Sequence, residues 1–213
     1  MSKSPGNREQ KKADTRQHIS DTATALFVQH GFDNVSVADV ADAAGVSRKT
    51  VFNYFLRKED VMFDREDEGR ELIRHALRDS PLPPVPAFQQ LMRALLASGH
   101  PLLRVNTRTR TFWKTVAASP ALTAHAQQLQ VTLGDDLAQL LQQAAGEGVD
   151  PALARLAAAM LMSTLVIAYG QALAAGRAAT TPAFSAVMER GFAGVTAAVA
   201  GTPLGAAVAS ARA

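Results

Sequence analysis

Residues 36–55 read SVADVADAAGVSRKTVFNYF. Ser36 opens a helix with Asp39 three residues on, the arrangement of a capping box. Gly45 ends that helix after barely two turns, and Ser47 caps a second one running from Arg48 to about Tyr54. Two short helices crossing steeply need a small residue at their contact, a glycine in the turn and apolar residues to seal the corner. Ala41, Gly45 and the set Val40, Val46, Val51 and Phe55 supply these in order. The pattern predicts a helix-turn-helix. Its second helix would present Ser47, Arg48, Lys49, Thr50, Asn53 and Tyr54 outward, with Arg48 and Lys49 at the end that enters the major groove of duplex DNA. Arginine is the commonest reader of guanine, lysine reads guanine or neutralises phosphate, and asparagine pairs with adenine. Hydroxyls at Thr50 and Tyr54, and the cation of Lys58, suit phosphate oxygens.

Upstream, Ile19, Ala23, Leu26 and Phe27 recur at helical spacing over Ala13–His30, and Gly31 stands where a helix C-terminal glycine belongs. Residues 1–12 are polar and basic and are expected to form a flexible arm. Downstream, a long helix is predicted from about Lys58 to Arg78, ending at SPLPPVP (80–86), whose four prolines mark a boundary. Five more helices follow, over about 87–98, 102–118, 120–145, 151–175 and 182–200. Ser119-Pro120, Asp150-Pro151 and Thr181-Pro182 each set a capping oxygen before a proline at the first helical position. No segment alternates with a period of two. The expected fold is all-α with about nine helices: a flexible arm (1–12), a three-helix DNA-binding unit (13–60), a larger helical domain (61–201) and a short tail (202–213).

The chain has 213 residues, 47% hydrophobic and 19% charged, and no cysteine, which excludes disulfides, thiolate metal sites and cysteine nucleophiles. This composition suits a protein of the cytoplasm. The net charge of +3 is too small to argue for nucleic acid, so the individual bases must carry that case. Residues 59–68 oppose six acids to Arg65, and these fall at a helix start where carboxylates favour the dipole. From Leu156 to Gly176 no charge occurs, a length that would span a bilayer, but its alanines and its Ser163, Thr164 and Gln171 favour a buried interface helix, with no membrane partner.

The run SVADVADAAGVSRKTVFNYFLRKEDVM resembles the N-terminal DNA-binding domain of the tetracycline-repressor (TetR) family of bacterial regulators. Gly45, Val46, Ser47, Thr50, Tyr54, Phe55, Lys58 and Glu59 stand at that family's spacings, and the helix ending His30-Gly31-Phe32 matches too. The likeness covers residues 13–63; beyond them only helix number and length agree. Phe52 departs from it, because the family usually has a tyrosine there whose hydroxyl meets DNA; the ring alone offers apolar contact to a thymine methyl. The resemblance implies a repressor that binds a palindromic operator as a homodimer. DNA would be contacted by Ser36, Ser47, Arg48, Lys49, Thr50, Phe52, Asn53, Tyr54 and Lys58.

It also implies that the C-terminal helices bind a ligand and pair, through residues of about 151–200. Stripes of Leu161, Leu165, Ala168, Tyr169 and Ala172, and of Gly191, Phe192, Val195, Ala198 and Val199, suit close helix packing there. Met92, Leu96, Arg108, Phe112, Trp113 and Met160 are the candidates for binding a small apolar or amphipathic molecule. No cofactor and no metal is expected. The rival functions are an architectural DNA-binding protein without ligand control, which would not need the long helical half, and a helical enzyme. Against the enzyme, the five histidines are scattered, and neither a phosphate-cradling glycine loop nor a nucleophile elbow occurs.

Overall fold

The computed structural model describes residues 5–176 and 180–205. Within them the chain forms ten α-helices and one 3-10 turn: α1 (Pro5–His30), α2 (Val37–Ala43), α3 (Arg48–Tyr54), α4 (Lys58–Met62), α5 (Glu66–Asp79), α6 (Pro84–Ala97), the turn Pro101–Leu103, α7 (Thr107–Ala118), α8 (Pro120–Ala145), α9 (Pro151–Ala175) and α10 (Thr181–Ala198). The all-α expectation holds among the described residues. Two compact units emerge, Met1–Glu66 with Thr111–Ala126, and Asp67–Arg110 with Gln127–Ala213.

In the first unit, Ile19, Ala23 and Phe27 form the buried stripe of α1 and meet Phe32, Val35, Val40, Ala41, Val51, Phe55, Val61 and Met62. Phe27 and Phe32 pack edge to face, 4.9 Å between ring centres. Val116 and Leu122 complete this core, with Phe112 and Trp113 against it.

Two sequence boundaries move here. Residues 5–12, expected in a flexible arm, belong to α1, while residues 1–4 lie outside the described ones. Pro5 is tolerated because a proline's missing N–H costs nothing in a first helical turn. The long helix expected from Lys58 is broken after Met62. Phe63 leaves helical geometry (φ −112°, ψ 37°). Its ring stacks among Phe112, Trp113 and His125, and Arg16 donates to the Asp64 carbonyl at 3.4 Å. Tertiary contacts that compete for the backbone carbonyl and the ring override an unbroken helical pattern.

The second unit buries Phe88, Leu137, Leu141, Leu161, Phe184, Met188 and Phe192. Asp150 caps α9 through Ala152 N–H, as expected, whereas α10 is capped by Thr180 rather than by Thr181. α6 starts at Pro84, inside the proline run, because the prolines occupy its first turn. α9 and α10 lie so close at Gly191 that a Cβ there would sit 2.3 Å from Thr164 Oγ1. α9, whose one charged residue is Arg155, is long and apolar enough to cross a membrane, but it has two distinct faces. Ala154, Ala157, Ala158, Leu161, Ala168 and Ala172 are buried in its own unit, while Leu156, Val166 and Ile167 are about half exposed. Of the expected tail, residues 206–213 lie outside the described ones.

Candidate nucleic-acid interface

The corner between α2 and α3 is made as the sequence requires. Gly45 takes a positive φ of 65°, where an L side chain is strained, and Val46 N–H closes the turn on Ala41 O at 2.9 Å. The Ser36 hydroxyl accepts from Asp39 N–H, and the Asp39 carboxylate accepts from Ser36 N–H at 2.8 Å. Ser36 N–H, then the Ser36 hydroxyl, then the charge of Arg48 hold the Asp39 carboxyl below its ordinary range. Ser47 accepts from Thr50 N–H at 3.0 Å, and the two hydroxyls lie 2.8 Å apart. Ser36, Ser47 and Thr50 therefore first serve to start α2 and α3.

α3 buries Val51, and Phe55 just after it, against the unit. Its opposite face carries Arg48, Lys49, Phe52 and Asn53, all exposed. These four are one surface because residues one helical turn apart, 48 with 52 and 49 with 53, are neighbours. Phe52 is 51% exposed, unusual for a phenylalanine in so small a unit, and it lies between the bases and the amide. Tyr54 is half-buried and packs on the core.

Lys58, expected at a phosphate, is engaged inside the unit. Its ammonium donates to Phe32 O at 2.9 Å and Val35 O at 3.0 Å, and stands 3.9 Å from the centre of the Phe32 ring. A cation held by two carbonyls and a π face ties α4 to the connection entering α2.

A second tie escaped the sequence reading. Arg16 of α1 donates to Tyr54 O at 3.0 Å, at the C-terminal end of α3, and its guanidinium covers the Phe55 ring at 4.6 Å. His18 Nε2 lies 3.2 Å from Ala44 O. Spacing gave no sign of these, because each pairs a side chain with a distant carbonyl. Near them Asp64 is held above its ordinary carboxylate value, mainly by burial, opposed by the Ser20 hydroxyl and by Arg65 and Arg16.

The six residues expected to bind a ligand divide between the two units. Phe112 and Trp113 pack edge to face, 5.3 Å between ring centres, in the first unit beside Phe63. Met92 and Leu96 are buried in the second unit's core, and Met160 is half-buried against it; Arg108 is exposed at the start of α7. Neither of two cavities in the second unit is lined by any of the six. One, of about 10 Å³, lies among Val105, Asn106, Thr109, Arg110, Tyr169, Ala172 and Leu173. The other, of about 170 Å³, is bordered by Asp135, Gln139, Gln142 and Arg155. Burial pushes the Tyr169 hydroxyl well above its usual value, and it donates to Leu102 O at 2.7 Å. No group of three or more metal-binding side chains occurs among the described residues.

Bacterial regulatory proteins of the tetR family match residues 19–64, the stretch from the buried stripe of α1 to the break after α4. Over those residues the chain is similar to that family. A mycofactocin biosynthesis transcriptional regulator of Mycobacterium tuberculosis is 47% identical over 51 residues, 24% of this chain and 26% of that protein. The transcriptional regulator AcrR of Shigella flexneri is 42% identical over 52 residues, 24% of each chain. The chain thus spans about a quarter of the length of these curated relatives. Across a larger span the likeness is one of fold. The repressor SmeT of the Stenotrophomonas maltophilia multidrug efflux pump SmeDEF superposes with a TM-score of 0.54 at 19% identity, over 84% of this chain and 89% of that one. NalD, secondary repressor of the MexAB-OprM efflux pump in Pseudomonas aeruginosa, gives 0.55 at 17%, over 87% and 97%. The sequence likeness is local to the first unit, and beyond it the chain shares architecture with those repressors rather than residues.

Proposed function

We propose that this chain is a tetR-family regulator, a ligand-responsive transcriptional repressor of the cytoplasm without catalytic activity, which binds a palindromic operator as a homodimer. The observation that carries the reading is the exposed face of α3, on which Arg48, Lys49, Phe52 and Asn53 stand together beside a capped helix start. A helix N-terminus with two bases is suited to a groove lined by acceptors and flanked by phosphate. Two such helices related by a two-fold axis read half-sites about one helical turn apart, roughly 34–36 Å. The recognition face is the direct test. Arg48→Ala should weaken binding of a selected palindrome by about 1–3 kcal/mol and relax preference at one base position. A uniform loss over all sequences would make Arg48 a phosphate contact, and no loss would remove the face from DNA altogether.

Ligand control is the second part of the reading. A structure of SmeT is a complex with triclosan, a small apolar molecule bound by a protein of the same fold. For this chain we infer an apolar or amphipathic ligand of the second unit, with Met92, Leu96, Arg108 and Met160 as its candidate contacts, while Phe112 and Trp113 belong to the first unit. The small cavity at Tyr169 would have to open to admit one. By linkage such a ligand and the operator weaken each other by one factor, typically about 1–3 kcal/mol. Trp113 is the sole tryptophan, so its emission reports any compound that disturbs the packing around Phe63. Titration with hydrophobic drugs and acyl compounds, paired with operator binding, should find compounds that change both. Compounds that shift the emission and leave operator affinity untouched would count against regulation through these residues.

A further inference from the structure

We propose that the first two turns of α1 are a second DNA contact, a basic helical extension that grips the phosphate backbone beyond the C-terminal end of the recognition helix. The proposal rests on the duplex-binding reading above and concerns residues that reading does not use. α1 starts at Pro5, more than three turns before its first buried residue, Ile19. This early part has no apolar stripe. It carries Arg8, Lys11 and Lys12, all exposed.

Position along α1 gives these cations a direction. Arg8, Lys12 and Arg16 are four residues apart and form one row on the helix surface. The same side continues into Ile19 and Ala23, the side that packs on α2–α4. Arg16, the last of the row, reaches Tyr54 O, the final residue of α3. Arg8 stands about 12 Å further along the axis, at 1.5 Å per residue. The row thus runs from the end of the recognition helix outward. With α3 in a major groove about 12 Å wide, what lies past its end is a sugar-phosphate strand, not a base edge.

Charge accounting points the same way. Arg16 and Lys58 are occupied by carbonyls and rings within the unit. They leave Arg48 and Lys49 for the groove, Arg57 beside it, and Arg8, Lys11 and Lys12 as the largest exposed group of cations in α1–α4. The acids of the extension oppose this little. Asp14 already accepts from the Gln10 amide at 2.9 Å, and Glu9 is the one other acid among residues 5–14. A cluster of cations without base-reading geometry neutralises phosphate, and that is seen in salt dependence rather than in sequence preference.

The test uses the full chain and a selected palindromic duplex, with affinity measured across a range of salt concentrations. Each phosphate contact contributes about 0.9 to the slope of log affinity against log salt. The triple variant Arg8→Ala, Lys11→Ala, Lys12→Ala keeps helix-forming residues on the surface and should leave the melting temperature unchanged. Its slope should fall by about two to three per protomer, with affinity near physiological salt reduced tenfold or more and base preference intact. Lys58→Ala should keep the parental slope while melting earlier. An unchanged slope in the triple variant overturns the proposal, as does a slope lost in Lys58→Ala and kept in the triple variant. A parent chain without salt-dependent duplex binding would overturn the functional reading itself, which separates the two failures.

Discussion

Phe27→Ala is expected to remove the first unit's ability to fold, while Phe52→Ala leaves it intact. Phe27 is fully buried in α1, edge to face with Phe32, and surrounded by side chains of α2–α4. Truncating such a ring loses its transfer energy and leaves a cavity, a cost of about 3–5 kcal/mol. Whole domains are stable by only about 5–15 kcal/mol, so a core this small has little to spare. Phe52, half exposed on α3, lacks those neighbours and belongs to the class of surface changes worth about ±0.5 kcal/mol. Thermal melting should therefore fall steeply for Phe27→Ala and barely move for Phe52→Ala. Operator affinity should fall in both: through unfolding in the first, and through lost apolar contact with the duplex in the second. A Phe52→Ala variant that binds its operator like the parent would leave the exposed ring without a role in DNA contact.

That contrast between two phenylalanines also shows what the amino-acid sequence could and could not disclose. Local chemistry was legible. The caps at Ser36, Ser47 and Asp150, the turn at Gly45 and the buried stripe of α1 follow from residues within four positions of one another, and each is found. Features made by distant partners were not. Nothing in Phe63-Asp64-Arg65 breaks a helix; the break arises from a ring drawn to Phe112 and His125 and a carbonyl taken by Arg16. Lys58 read as a phosphate contact because a cation near a recognition helix normally is one, yet its partners, Phe32 and Val35, lie more than twenty residues earlier. The start of α1 was missed for another reason. Periodicity detects a helix by its apolar stripe, and residues 5–12 carry no apolar stripe to betray the period. α9, with Arg155 as its one charge, posed the opposite difficulty, since both of its faces are apolar and sequence alone does not say which one meets its own chain.

The structure separates those faces, and with them the most consequential prediction about assembly. Ala168 is fully buried and Ala172 nearly so inside the second unit, so charges placed there would damage the unit before testing any partner. The other side of α9 exposes Leu156, Ala159, Ser163, Val166, Ile167 and Gly170, and α10 exposes Ala186, Ala193, Gly194 and Ala197. Three of these are large hydrophobics at 46–54% exposure on one helix, flanked by small residues that allow close helix approach. We infer that a second copy covers this surface. A two-fold axis brings the same patch of each protomer together, and a stable pairing would bury roughly 2,000 Å² or more in total. Replacing Val166 and Ile167 together with glutamate would set four carboxylates near that axis, desolvated and without partners, at a cost of several kcal/mol per ion. The expected result is a folded monomer, with helix content and melting close to the parent's single-chain transition. Operator binding should collapse further than any single contact mutation allows. One bound half-site no longer holds the other at high effective concentration, so affinity for the palindrome should drop by about 10²–10⁴-fold toward that for a single half-site. Sedimentation of the double variant, beside binding to full and half operators, measures both effects. A variant that still sediments as a dimer would move the interface off this face of α9, and a monomer that keeps palindrome affinity would detach dimerisation from DNA reading.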